Sequence, residues 1–301
     1  MRAQGRLLAD GRRLHLQDGP IDLIVEAFGT GEGVRTAYGE AARCFAPILD
    51  ELCAELAELR QPAWPGRSTL GGTVARRMHR AVAPHAEAGL FITPMAAVAG
   101  AVAEEILAAM TGAAELSRAY VNNGGDIALH LAPGERFTIG MVDRPDDPGL
   151  FGTTRLTAED GVGGIATSGW RGRSFSLGIA DAVTVLAATA AGADAAATVI
   201  ANAVDLPGHA AIRRVRACDI QPDSDLGHRL VTRQVGSLDD GDIETALDFG
   251  AVTAQALVRR GLIASAALHL QGRTRVVGPA SDSTSPARIC VDADHQRFAH
   301  A

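Results

Sequence analysis

Residues 161–205, GVGGIATSGWRGRSFSLGIADAVTVLAATAAGADAAATVIANAVD, are the most restrictive stretch of the chain. A glycine-rich turn leads into Ala166-Thr167-Ser168-Gly169, and an arginine- and serine-bearing loop spans residues 171–176. Residues 182–188 are an apolar, β-branched run. A small-residue helix is then expected to open at Gly192-Ala193-Asp194 and run through Ala203. Backbone amides in glycine turns suit anionic oxygens, and Arg171 and Arg173 can fork onto phosphate. Asp194 and Thr198 lie one helical turn apart, so a carboxylate and a hydroxyl share one face. That is half a site for magnesium, which takes oxygen ligands and shares them with substrate phosphates. The same two residues also read as a helix N-cap and a packing threonine.

A chain of 301 residues can bury a sizeable core in one large or two modest domains. Its net charge of −7 argues against a general role at nucleic acid or membrane surfaces. All 28 Lys and Arg residues are arginine, so no lysine serves as Schiff base, phosphate anchor or general base. Cys44, Cys53, Cys218 and Cys290 lack CxxC spacing and read as isolated thiols, neither zinc site nor disulfide framework. The N-terminus lacks the apolar run of a signal peptide. No run of about twenty apolar residues is read from the sequence. A cytoplasmic protein is expected.

Along the chain, residues 7–26 predict a strand meander at a sheet edge, turning at Asp10-Gly11 and Asp18-Gly19. Residues 33–60 show apolar positions at threes and fours and predict a helix interrupted at Pro47. A loop over 61–72 carries Trp64. A basic helix is expected over 73–83, with Arg76, Arg77, His79 and Arg80 on a solvated face, and a short strand over 90–92. Thr93 and Pro94 then predict the capped start of a helix reaching Gly112. The first half of that helix is built from Ala96, Ala97, Ala99, Gly100 and Ala101. It therefore admits close approach by a backbone or a flat ligand. Strands over 117–122 and 127–131 flank Asn123-Gly124-Gly125-Asp126, a hairpin turn whose glycines also offer backbone to a ligand. A strand over 137–142 and a proline-rich loop over 143–149 follow. Later, strands are expected over 211–220 and 230–235, around an acidic turn at 223–227. A helix over 238–260, capped by Ser237 and stopped by Gly261, precedes a final hairpin around Gln271-Gly272. Residues 280–301 read as a loosely docked tail beyond a single domain over 1–279.

Three separated pieces form one ordered pattern: the small-residue helix with Ala96 and Gly100, the turn at 123–126, and Ala166-Thr167-Ser168-Gly169 followed by Ala193-Asp194-Ala195-Ala196-Ala197-Thr198. Over residues 20–278 the chain resembles the ApbE family, flavin transferases that move FMN from FAD onto a threonine or serine of a target protein. It looks most like a short cytosolic branch of it. The resemblance implies an α+β, two-lobed fold of mixed and antiparallel sheets packed with helices, with a ligand cleft between lobes. It implies magnesium on Asp194, Thr198 and a carbonyl near Ala96. A pocket for FAD or FMN would be lined by Asn123, Gly124, Gly125, Asp126, Thr167, Ser168 and Gly169, with Arg171 and Arg173 on the phosphates. Asp194 and Ser176 are the catalytic candidates. The departures from the pattern are concrete. Ala99 stands where the family has lysine, Glu104 where it has aspartate, and Arg173, Ser174 and Ser176 occupy the region of its histidine; a Pro-x-Thr-Gly loop is missing. Losing a histidine removes a proton acceptor for a hydroxyl nucleophile. The expected functions are a magnesium-dependent flavin transferase or FAD-cleaving enzyme, a non-catalytic flavin carrier, or an enzyme for another small anion. A flavin or other anion and a flavoprotein target are the expected partners, with homodimerisation left open.

Overall fold

The computed structural model describes residues 3–66, 68–142, 150–278 and 289–291. The chain is an α+β protein. In order, its elements begin with β1 (Gln4–Leu7), β2 (Leu14–Asp18) and β3 (Ile21–Phe28). Helices α1 (Gly31–Phe45), α2 (Ile48–Ala54), α3 (Leu56–Leu59), α4 (Thr73–Glu87) and α5 (Val98–Ala113) follow. Next come β4 (Arg118–Asn123), β5 (Asp126–Leu131), β6 (Arg136–Val142), β7 (Leu150–Thr157), β8 (Gly164–Ser168), β9 (Ala182–Ala187) and α6 (Ala190–Ala203). The last elements are β10 (Ile212–Arg216), α7 (Ala217–Ile220), β11 (Leu230–Val235), α8 (Asp240–Arg259), β12 (Ser265–Leu270), β13 (Arg273–Val277) and β14 (Ile289–Val291).

Two compact units result. The first comprises Met1–Arg136, Thr157–Ala166 and Ala187–Ala195. Its strands β1 to β5 form an antiparallel run in chain order, and Ile127 and Ala128 of β5 pair with Ile165 and Gly164 of β8. The alternation read over residues 7–26 is borne out: Leu14, Leu16, Leu23 and Val25 are buried, and β1 lies at the sheet edge. Helix α1 starts on Thr30, whose hydroxyl accepts from the Gly33 amide at 3.1 Å. It buries Ala37, Ala41 and Phe45 and ends before Pro47, which separates it from α2. Helix α5 packs on α1, α4, β4 and β5. Its sequence, with the turn before it, meets the length and composition of a membrane-crossing helix: Pro94–Ala113 has mean hydropathy 1.4. That corrects the reading that no such run exists. Burial of Ala101, Val102, Ala103, Ile106, Leu107 and Met110 in this unit accounts for the composition.

The second unit comprises Phe137–Leu156, Thr167–Leu186 and Ala196–Ala301. Strand β12 lies between β9 and β13, antiparallel to both, and is buried at every residue. Helix α8 covers it, seating Gly250 where an added methyl would meet Val204 at 2.3 Å and Leu268 at 2.7 Å. Strands β10 and β11 pair antiparallel, as do β14 and β7.

Several expectations are corrected. Residues 90–92 are not a strand; the Ile92 carbonyl accepts from the Ala63 amide in the neighbouring loop instead of a ladder partner. Helix α4 runs past residue 83 to Glu87, because Val82, His85 and Ala86 extend its buried face and Pro84 falls in the last turn. The helix expected from Thr93 is two pieces, a 3-10 turn Pro94–Ala97 and then α5, and Thr93 gives no side-chain cap. Asp239 caps α8 in place of Ser237, accepting from the Asp242 amide at 2.8 Å; the Leu238 amide is drawn to Gln271 at 3.1 Å, which delays the helix start. The strand expected over 211–220 stops at Arg216, where α7 begins. The loop at 143–149 and the tail at 280–288 and 292–301 lie outside the described residues, but Ile289–Val291 form a strand.

Candidate functional site

In the first unit, strand β4 ends and β5 begins at a two-residue turn. Asn123 pairs with Asp126, while Gly124 and Gly125 take φ of 66° and 111°. Such values favour glycine, so a two-residue hairpin is available here to few other sequences. The turn is open: an added methyl at Gly125 would meet nothing within 4 Å. Asp126 follows it and is partly exposed. Asn123 is buried and donates its amide to the Ala99 carbonyl at 3.1 Å, tying the turn to the start of α5.

The other half of the site comes from α6. Its first turn is held by Thr189, whose hydroxyl accepts from the Gly192 amide at 3.1 Å, so Asp194 is not that helix's cap. Asp194 reaches across to α5 instead. Its Oδ2 accepts from the Gly100 amide at 3.0 Å, and the Ala99 amide also donates to the carboxylate. These are first-turn amides, which an α-helix leaves without internal partners. Burial, followed by the charge of Asp126, raises the Asp194 carboxyl well above the ordinary value of 3.8, against the lowering effect of the two amides. Asp194 nevertheless keeps partial exposure to solvent. No basic side chain among the described residues is paired with it. Two carboxylates from distant segments, one of them next to an open glycine turn, therefore lie close enough for the charge of one to act on the other.

Close approach of backbones makes this arrangement possible. A methyl added at Gly100 would lie 2.3 Å from the Ala190 carbonyl oxygen, and one at Gly164 would lie 2.3 Å from Ala190 Cα. The bare surface of residues 96–101 thus admits the start of α6, one of the two uses expected of it. The glycines at 163–164 likewise serve backbone contact, since a methyl at Gly163 would meet the Ala188 carbonyl oxygen at 2.5 Å. Ala96 sits in the 3-10 turn before α5 and is partly exposed. Thr198 is half-buried four residues beyond Asp194 on α6.

Thr167, Ser168, Gly169, Arg171, Arg173 and Ser176 lie in the second unit. Ala166, Thr167 and Ser168 belong to β8, so the expected turn begins only at Gly169. Thr167 shares a 2.9 Å hydrogen bond with Thr184, and Ser168 is partly exposed. Gly169 is buried where a methyl would meet the Asp181 carbonyl oxygen at 2.3 Å. Arg171 donates through Nε to Asp181 Oδ1 at 2.7 Å and lies over the Trp170 ring at 4.6 Å. Arg173 is exposed. Ser176, 4% exposed, is bonded to Asn202 Oδ1 at 3.3 Å and to the Gly178 carbonyl at 3.4 Å, which uses its hydroxyl in the fold. The sequence reading missed Asp181. It also accepts from Trp170 Nε1 at 3.0 Å and from the Gln271 amide at 2.7 Å, fixing the 169–172 turn and the β12–β13 hairpin. Its only sequence signal is an acid inside an apolar run. Asp181→Ala should cost about 2–3 kcal/mol, because it strands several part-buried donors around a buried acid. Denaturant midpoints of the two proteins check this.

Comparison with known proteins gives a family. The chain belongs to the family described as "AbpE bacteria", whose profile matches residues 5–276. Among its relatives are archaeal proteins named UPF0280. One from Methanospirillum hungatei is 32% identical over 206 residues, 64% of this chain and 72% of the relative. One from Methanopyrus kandleri is 40% identical over 129 residues, 43% of this chain and 48% of the relative. A third, from Methanothermobacter thermautotrophicus, is 39% identical over 139 residues and half covered at 50%. The chain thus spans about half the length of the latter two relatives. Similar solved structures are the flavinyl transferase ApbE of Pseudomonas stutzeri, at 13% identity and TM-score 0.46, and the flavin transferase ApbE of Vibrio cholerae, at 12% and 0.47. The first alignment covers 92% of this chain and 95% of the other; the second covers 93% and 98%.

Proposed function

We propose that the chain binds a flavin nucleotide through a divalent cation held by Asp126 and Asp194, and that it transfers FMN from FAD to a protein or cleaves the FAD diphosphate. The reading is supported by two carboxylates close enough to interact, Asp126 next to the Gly124-Gly125 turn and Asp194 held on the Gly100 amide with no basic side chain paired to it among the described residues. Buried charges are ordinarily paired or bound to metal, and two anions in one place call for a cation.

The donors suit magnesium. All are oxygen. A carboxylate pair leaves positions for water and phosphate, the habit of magnesium rather than zinc. Asp194 and Asp126 would hold the ion, with the Ala96 carbonyl as a further expected ligand. When bound, the cation would neutralise charge building on the diphosphate. The chain's own part is orientation: the Ala99 and Gly100 amides fix Asp194, and Asn123 fixes the turn that presents Asp126.

A second reading, a flavin carrier without catalysis, is favoured by one observation. Ser176 is buried and bonded, and no histidine stands in its region to accept a proton. Incubation with FAD and magnesium separates the two. Release of AMP that chelation abolishes is the expected result. Tight FAD binding without AMP supports the carrier, and no flavin binding at all would remove both.

A further inference from the structure

Helices α5 and α6 cap each other. Asp194, from α6, takes the first-turn amides of α5. Glu104, from α5, takes the first-turn Ala191 amide of α6 through Oε2 at 3.3 Å. The exchange is reciprocal, and it is possible because Gly100 lets the Ala190 peptide lie against α5. The two acids differ in one respect. Arg77 of α4 forks between Glu104 and the next residue, pairing Nη1 with Glu104 Oε1 and Nε with Glu105 Oε2, the latter at 2.7 Å. The basic helix was read as a solvated face, and Arg76 and Arg80 are exposed, but Arg77 is not part of that face; only 23% of its side chain is exposed.

We infer that Arg77 and Glu104 are positioning residues, which hold the start of α6 on α5 so that Asp194 stays on the Ala99 and Gly100 amides. A carboxylate at 104 that lacked Arg77 would be a third negative charge near the pair; with Arg77 it is a neutralised cap. The shape of the charge distribution follows: one acid is spent on structure, and the other is left for a ligand. The effect on cation affinity rests on the proposed function above, whereas the effect on Asp194 placement does not.

The test therefore has two readouts on the full chain: amide hydrogen exchange at Ala99, Gly100 and Ala191, and affinity for manganese alone. Glu104→Ala should speed exchange at all three amides and weaken manganese binding about ten-fold, the scale of lost support behind a metal ligand. Glu104→Gln, whose carboxamide oxygen can still accept from Ala191, should restore most of both. Arg77→Lys, which keeps the charge and loses the fork, should move both in the same direction by less, and it decides the matter if Glu104→Ala does not fold. Unchanged exchange at Ala99 and Gly100 in the folded variants overturns the inference. So does faster exchange with unaltered manganese affinity. If the wild-type chain binds no manganese, the cation reading falls, and exchange at Ala99 and Gly100 still decides whether Arg77 and Glu104 place Asp194.

Discussion

Asp194→Asn is expected to reduce magnesium-dependent turnover of FAD at least about 100-fold, equivalent to about 2.7 kcal/mol, while leaving the chelated protein as stable as wild type or more so. The two effects have one cause. Asp194 is held among protein atoms and near Asp126, so its folded-state pKa lies well above 3.8. A carboxyl raised in this way favours folding in its protonated form. That contribution is complete below the ordinary value and is lost as pH rises through the raised one. Where the unliganded wild type is ionised at Asp194 it therefore carries a charge that opposes folding, and the carboxamide does not. Asparagine keeps an oxygen for the Gly100 amide and loses the charge that holds a cation. Thermal melts in chelator across pH 4 to 8 check the stability half: wild type should lose stability toward neutrality relative to the variant. A variant melting several degrees lower throughout would show that Asp194 is a structural cap and little else.

Gly100→Ala should destabilise the protein by about 2–3 kcal/mol, the cost of overpacking a close contact, although alanine is the better helix former by about 1 kcal/mol. The new methyl would lie 2.3 Å from the Ala190 carbonyl oxygen and 2.8 Å from the Ala191 nitrogen, both backbone atoms that cannot rotate aside. The start of α6 must move, and it takes Asp194 with it. Gly112→Ala on the same helix is the control. Nothing lies within 4 Å of a methyl there, so the change should stabilise by about 0.5–1 kcal/mol. Opposite signs for two identical substitutions twelve residues apart on one helix, measured by urea denaturation, would isolate the close approach at Gly100 from helix propensity.

Much of this was legible in the sequence where a local rule decides. The Asn-Gly-Gly-Asp hairpin, the break at Pro47 and the alternation of β2 and β3 follow from turn chemistry and periodicity, and the structure has them. The small-residue surface of residues 96–101 announced a close contact without naming what approaches. The partner, Ala190, lies ninety residues away, and no local pattern encodes that distance. The same limit hid the second role of Asp194. Spacing placed it near a helix start and suggested a cap, which it is, but of α5 rather than of its own helix. Arg77 read as solvated because its neighbours Arg76 and Arg80 are; only the packing of α4 on α5 brings Glu104 and Glu105 to it. Asp181 escaped for the converse reason, since a buried acid is defined by donors gathered from Trp170, Arg171 and Gln271.

The central claim is that Asp126 and Asp194 together make a cation site. Manganese titrated into the full chain, followed by the loss of the free-ion paramagnetic resonance signal, measures it directly. One ion per chain should bind in the wild type, and binding should disappear in both Asp126→Asn and Asp194→Asn while both remain folded. Undiminished binding in either folded variant, or none in the wild type with FAD present, would contradict the claim.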